Sequence, residues 1–257
     1  MATRTYFQGS FRVTKAATIR VTYHPATTSD WAVSAGDTYT SLDLLIAAWQ
    51  AQLDSDLGAD KVIVSVTHST TAYTGTLRLT TDGPNVSVDW SQAGDGEDLR
   101  DWLGESADIT NEASPYDFAA QHKAGWYPPY AAQMLQRSES SRPRSQMLTL
   151  GANSRTQHNA DVGDEDEIGV SLRCWMDDGT GSFEGHDELE QFVDELHDET
   201  GGGEPFSIYH GEAGAEEQWV VRFADAALSI VPARVAGAQA NDLWQWSAGL
   251  VAEVAPW

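Results

Sequence analysis

Thr40-Ser-Leu-Asp-Leu-Leu-Ile-Ala-Ala-Trp-Gln-Ala-Gln-Leu53, followed by Lys61-Val-Ile-Val-Ser-Val-Thr-His68, places a helix beside strands and decides the fold class. In the first stretch the apolar residues fall at Leu42, Leu45, Ile46, Trp49 and Leu53, the spacing of a single helical face. Thr40-Ser41 supplies a hydroxyl cap and Gly58 a stop. The second stretch alternates with period two, as do Leu77-Arg-Leu-Thr80 and Val86-Ser-Val-Asp-Trp90. Asp82-Gly-Pro-Asn85 supplies a turn between the last two. Upstream, Tyr6-Phe7-Gln8-Gly9-Ser10 reads as strand, and the alternation from Phe7 to Tyr23 gives one or two strands. Downstream, Glu97-Asp-Leu-Arg-Asp-Trp-Leu-Gly104 is a short helix closed by glycine. The order expected is strands, a helix, a three-strand meander and a short helix, with the helix covering a sheet.

The second half repeats the plan with other residues. Gln146–Leu150 and Ile168–Trp175 read as strands, with the acidic run Gly163-Asp-Glu-Asp-Glu167 joining or preceding them. Asp187 with Glu190 three residues on is a capping-box pattern. It opens a helix with Leu189, Phe192, Val193 and Leu196 on one face, ended by Gly201-Gly-Gly203. Four strands are expected after it: Phe206–His210, Gln218–Phe223, Ala227–Val231 and Leu243–Val254. The seam is Arg137-Ser-Glu-Ser-Ser-Arg-Pro-Arg-Ser145, polar and locally basic. The expected class is therefore α+β and β-rich, in two modules, each an antiparallel sheet or sandwich with one packed helix. The boundaries are 1–136 for an N-terminal α+β module, 137–145 for a linker or crossing, and 146–257 for a β-sandwich-like module.

Composition narrows the function. The 257 residues carry a net charge of −24, with 39 Asp and Glu against 15 Lys and Arg, three of them lysines. Such a surface stays soluble and repels nucleic acid, at the expense of self-repulsion in the compact state. Hydrophobic residues at 41% provide for a real core. The apolar runs are short and interrupted, so no membrane span is expected, and the N-terminus lacks the pattern of a signal peptide. The single cysteine, Cys174, lies in a strand pattern and excludes an intramolecular disulfide framework and a cysteine zinc cluster.

The motifs that carry chemistry fail one by one. None of the seven histidines forms a His-Glu-x-x-His pair. His186 and His197 lie beside carboxylates at opposite ends of the expected second helix, where capping and a solvated acidic face account for them. The window Asp177–Glu188 has acids at both ends, as a calcium loop does. Its third and fifth positions are Gly179 and Gly181, and Ser182 stands where the loop needs glycine, so it is no EF-hand. Gly201–Gly203 follows a helix instead of opening one and has no Lys-Ser/Thr after it. Asn85-Val-Ser87 is a glycosylation sequon that has meaning only in a secreted protein, and no Gly-x-Ser-x-Gly elbow is present. The expectation is a protein that is not an enzyme, with no catalytic residue, no cofactor and no metal.

Two further stretches resemble a known family. Val86–Gly104, a short alternating strand followed by Asp98-Leu-Arg-Asp-Trp-Leu-Gly104, resembles a recurrent segment of tailed-phage virion proteins of the distal or minor tail class. In that class an aromatic usually follows the glycine, where this chain has Glu105, and Trp126-Tyr-Pro-Pro129 loosely fits the Pro- and Trp-bearing stretch that comes next. The second half resembles the tail-tube-like domain of such proteins. It has a helix, a glycine break, Pro205-Phe-Ser-Ile-Tyr209, and strands ending in Trp244-Gln-Trp-Ser-Ala-Gly-Leu-Val-Ala-Glu253. The resemblance implies a virion structural subunit that self-assembles into a ring, a hexamer or trimer, around the DNA path. Its partners would be its own copies and other tail proteins, with DNA passing but not gripped and no membrane involved. An acidic wall agrees with that role, since every exposed Lys or Arg is a potential phosphate contact. The alternative is a Trp-rich carbohydrate- or receptor-binding module, raised by ten tryptophans. Trp31, Trp126, Trp219 and Trp257 have no evident core face, and Trp126, Tyr127, Trp219 and Trp257 are the candidate assembly or ligand contacts.

Overall fold

The chain begins in a strand that is buried on both faces. In the computed structural model β1 (Thr3–Gly9) has every residue from Thr5 to Gly9 buried, so the period-two rule of a half-exposed strand does not apply to it. The structure describes residues 3–23, 27–68, 74–119, 124–127, 134–140, 144–149, 155–160, 165–175, 191–194, 196, 204–223, 229–232 and 243–252. After β1 come β2 (Phe11–Arg12), β3 (Ala17–Tyr23), β4 (Thr27–Val33) and β5 (Thr38–Tyr39). In β3 every second residue from Ala17 is buried, as the alternation required.

The helix expected after Ser41 forms as α1 (Leu42–Leu57). The Ser41 hydroxyl accepts from the Leu44 amide at 3.2 Å, satisfying one of the orphan donors of the first turn. Gly58 ends the helix at φ +92°, a conformation glycine adopts without penalty. Leu42, Leu45, Ile46, Trp49 and Leu53 are buried, the five positions of the apolar stripe. Each such side chain contributes roughly 1.5–3 kcal/mol on burial. Trp49 stacks on Trp31 of β4 with centroids 5.5 Å apart and lies 6.0 Å from Trp90. Three indoles thus form the centre of the first core.

Next in the chain are β6 (Val62–His68), β7 (Gly75–Thr81), β8 (Asn85–Gly94), α2 (Glu97–Trp102), β9 (Ile109–Ala113) and β10 (Tyr116–Asp117). The three-strand meander expected here does not form. β6 pairs with β7, whose other edge goes to β10, while β8 leaves to pair with β3 and β9. The Asp82–Asn85 turn therefore connects two sheets, β10-β7-β6 and β4-β3-β8-β9. Val86, Val88 and Trp90 of β8 and Val62, Val64, Leu77 and Leu79 of β6 and β7 are buried in one core with Trp49 and Ile19, so the two sheets enclose the same core from different sides. Gly94 makes the exit of β8 feasible. At φ +86°, it has the Ala16 carbonyl oxygen 2.3 Å from where a Cβ would sit.

The second half supplies β11 (Met134–Ser140), β12 (Arg144–Thr149), β13 (Arg155–Ala160), β14 (Glu165–Trp175), β15 (Phe206–Glu212), β16 (Glu217–Phe223), β17 (Ser229–Pro232) and β18 (Leu243–Ala252). Residues 191–194 and 196 are helical. The capping residues Asp187 and Glu190 and the Gly201–Gly203 stop lie outside the described residues. Of the segment 137–145, expected as a linker or crossing, residues 137–140 lie in β11 and 144–145 in β12. The acidic run expected to join or precede the strands runs into β14, which opens at Glu165. Backbone pairing here recruits polar residues that carry no alternation signal.

A seven-stranded antiparallel sheet runs β1-β15-β16-β18-β14-β11, with β17 also paired to β18. Its first strand comes from the start of the chain, in register from Thr3↔Glu212 to Gly9↔Phe206. The two modules expected at 1–136 and 146–257 therefore share a strand. The fold is α+β and β-rich, built from several antiparallel sheets and few helices.

Candidate functional site

The seam between the two halves brings aromatic and polar side chains together. Because β1 is buried on both faces, its alternation splits two environments. Phe7 faces an apolar core with Trp126 at 5.4 Å, Phe192 at 5.9 Å and Phe206 at 6.3 Å. Tyr6 and Gln8 face the start of α1. The Tyr6 ring stacks between Tyr127, at 5.0 Å and 9°, and Tyr209, at 4.6 Å and 6°. The Arg4 guanidinium lies 5.3 Å from the Tyr6 centroid and is paired with Glu216, a cation–π arrangement.

Beneath the stack runs a hydrogen-bond network. Gln8 donates from Nε2 to Asp43 Oδ1 at 3.0 Å and to the Tyr127 hydroxyl at 2.8 Å. Its Oε1 accepts the Asp43 amide at 2.9 Å. Tyr6 donates to Asp43 Oδ2 at 3.1 Å, and the Ser41 and Tyr209 hydroxyls are 2.7 Å apart. Asp43 sits in the first turn of α1, where a carboxylate is favoured by the helix dipole. Burial, with the Asp43 charge adding to it, raises all three phenols; Tyr209 is pushed up to about 12 and Tyr6 and Tyr127 move in the same direction. Phenols held this way stay neutral at physiological pH and serve as hydrogen-bonding groups. The arrangement staples α1 and β1 to β15, and its chemistry is that of a joint.

Two clefts are found among the described residues. One of about 520 Å³ is lined by Phe11, Arg12, Asp98, Asp101, Trp102 and Glu204. Asp98 accepts from Thr14, and Arg100 lies against Asp101 at 2.8 Å. The other, of about 440 Å³, is lined by Thr22, Tyr23, Asn85, Ser87 and Asn111, with Asn85 donating to Asn111 at 2.9 Å. The first cleft carries surplus carboxylates and repels phosphate; the second is neutral. Among the described residues no group of three or more His, Cys, Asp or Glu side chains is placed to hold a metal ion. No helix among them is long and apolar enough to cross a membrane.

The candidate contacts do not form one surface. Trp126 is fully buried and Tyr127 is buried beside it, so neither is an exposed assembly or ligand contact. The correction has a backbone cause: Trp126 exchanges both amide bonds with Phe7 at 2.9 Å and also bridges Thr74. Trp31 is buried on Trp49, and Trp219 is half-buried in β16. Trp257, His186, His197 and the window Asp177–Glu188 lie outside the described residues. The seam residues Tyr6, Gln8, Asp43 and Tyr209 carried no sequence signal except a tyrosine at alternate positions in two strands, whose pairing only the register reveals. No protein-family model matches the chain, and no curated protein does.

Proposed function

We propose that this chain is a structural subunit of a tailed-virus particle, working in the tail or neck-to-tail region by assembling into a ring around the DNA path, without catalysis. The observation that carries the reading is that the stretches resembling the tail-tube-like domain belong to one structural unit. Helical residue Phe192 packs edge-on against Phe206 of β15 at 5.7 Å. β15, β16 and β18 are neighbours in one antiparallel sheet. The net charge of −24 supports the same role, because a carboxylate-rich wall offers DNA few contacts that release counterions. Partners are further copies, as a hexamer or trimer, and other tail proteins; the place of work is the virion. Light scattering with negative-stain imaging tests the reading. A closed oligomer of fixed mass, seen as annular particles, is the expected result, as closed symmetry requires. A monomer at every concentration overturns it.

A further inference from the structure

The sheet β4-β3-β8-β9 has one face in the first core and the other outside it. Val21 and Tyr23 of β3 and Val86 and Val88 of β8 are buried in that core. Alternation then puts Thr22, Asn85 and Ser87 on the outer face, with Thr22 opposite Ser87 in register. At the edge strand the ladder is broken. Val86 pairs with Glu112 and Val88 with Ile109, so Thr110 and Asn111 both stand opposite Ser87, the arrangement of a β-bulge. Asn111 adopts φ +53° and is one of two non-glycine residues at positive φ among the described residues. Its amide donates to Ser87 Oγ at 2.7 Å, and its Oδ1 accepts from Asn85 Nδ2 at 2.9 Å. The bulge thus brings a second carboxamide against the first, at the wall of the cleft of about 440 Å³.

The lining of that cleft selects its ligand. Among the described residues no Asp, Glu, Lys, Arg or His side chain lines it, in a chain of which 21% is charged. A phosphate or carboxylate ligand calls for a cationic group, and a divalent cation calls for carboxylates. An apolar ligand calls for more wall than Pro84, Val86 and Tyr23 provide. What the cleft does hold is uncharged donors and acceptors side by side. A carboxamide has two N–H donors and an acceptor oxygen, and a hydroxyl both donates and accepts. The Asn85–Asn111 bond uses one donor and one oxygen, and Ser87 Oγ gives a lone pair to the Asn111 amide. Asn85 Oδ1, Asn111 Nδ2 and the Ser87 hydroxyl proton remain for a ligand. An adjacent acceptor and donors suit neighbouring hydroxyls, each of which gives one hydrogen bond and takes another. Residues held at unusual φ cluster at ligand clamps, and Asn111 is the residue so held here.

We infer that this cleft binds an uncharged polyhydroxylated ligand, a saccharide unit, with Asn85, Ser87 and Asn111 as its hydrogen-bonding groups. The site uses none of the tryptophans, and it stands or falls independently of the ring reading.

The test is titration of the isotope-labelled full chain, followed by amide NMR. The probes are methyl α-glucoside, methyl α-mannoside, methyl β-galactoside and N-acetylglucosamine, with inorganic phosphate as the anionic comparison. At ordinary ligand efficiency one sugar ring binds with a Kd on the order of 1 mM, so each probe is taken to about ten times that concentration. At least one sugar should shift the Asn85 and Asn111 side-chain amide signals and the Ser87 backbone signal saturably, and phosphate should not. Asn111→Gly suits the positive φ and removes the carboxamide, so it should keep the parent's spectrum elsewhere while weakening that sugar about ten-fold or more. Asn85→Ala should do the same. No saturable shift at these residues with any of the four sugars overturns the inference, as does a sugar response that both variants retain. A response to phosphate alone overturns the uncharged ligand class.

Discussion

Gln8 is fully buried, yet its amide makes three hydrogen bonds, two to Asp43 and one to Tyr127. A buried primary amide is tolerable only when its donors and acceptor are used, and here it joins β1, α1 and the Trp126-Tyr127 segment in a single group. The tyrosines around it give the seam a pH signature. Burial and the Asp43 charge push Tyr209 up to about 12 and raise Tyr6 and Tyr127 as well. Unfolded phenols titrate near about 10. Between roughly pH 10 and 12 the unfolded chain therefore releases protons that the folded one retains, and stability falls as pH rises through that window. On alkaline titration, phenolate absorbance near 295 nm should rise in two stages, the later one together with loss of far-ultraviolet dichroism. Complete ionisation with native dichroism would mean that the stack is open to solvent.

At the scale of the element, α1 does more than bury a stripe. Gln50, on its flank, accepts the Val64 amide at 2.7 Å and donates to the Val62 carbonyl at 2.9 Å. It occupies the edge of β6 that β7 leaves free, much as a neighbouring strand would. An uncovered edge invites pairing with another chain, and Val62–His68 is a β-prone run with Ile63 exposed. Gln50→Ala should cost about 1–2 kcal/mol, the range for hydrogen-bonding groups left without partners. It should also increase aggregation on heating. A variant with the parent's melting temperature and scattering profile would show that the edge needs no cover.

For the whole molecule, charge and connectivity pull in opposite directions. The net charge of −24 disfavours compaction, while β1 ties the first core to the seven-stranded sheet through seven paired residues. Exposed ion pairs such as Arg20–Asp30 and Arg78–Asp117 offset little of the repulsion. Raising NaCl from about 0.05 M to about 1 M shortens the Debye length from more than 10 Å to about 3 Å. The melting temperature should climb across that range and then level off, in a single transition because the two halves share β1. A flat or falling profile would show that acids and bases are already matched in space. Two resolved transitions would show that β1 does not couple the halves.

Local periodicity by itself determined the helix, its cap at Ser41, its stop at Gly58 and its five buried residues, together with most strands and the β-rich class. These depend on neighbours a few residues apart, which the sequence lists in order. Fully buried β1, the polar strands of the hairpin, and short β5 and β10 carry little or no such period. Only the tertiary structure decided which strands pair. β8 pairs with β3 and not with β7, and the two sheets meet in one core around Trp49 and Trp90. β1 joins β15 near the far end of the chain, and that register stacks Tyr6 on Tyr209. Trp126 and Tyr127 looked available as contacts because nothing near them in sequence covers them. They are buried by Phe7, Phe192 and Gln8, residues that reach them only after the sheet has formed.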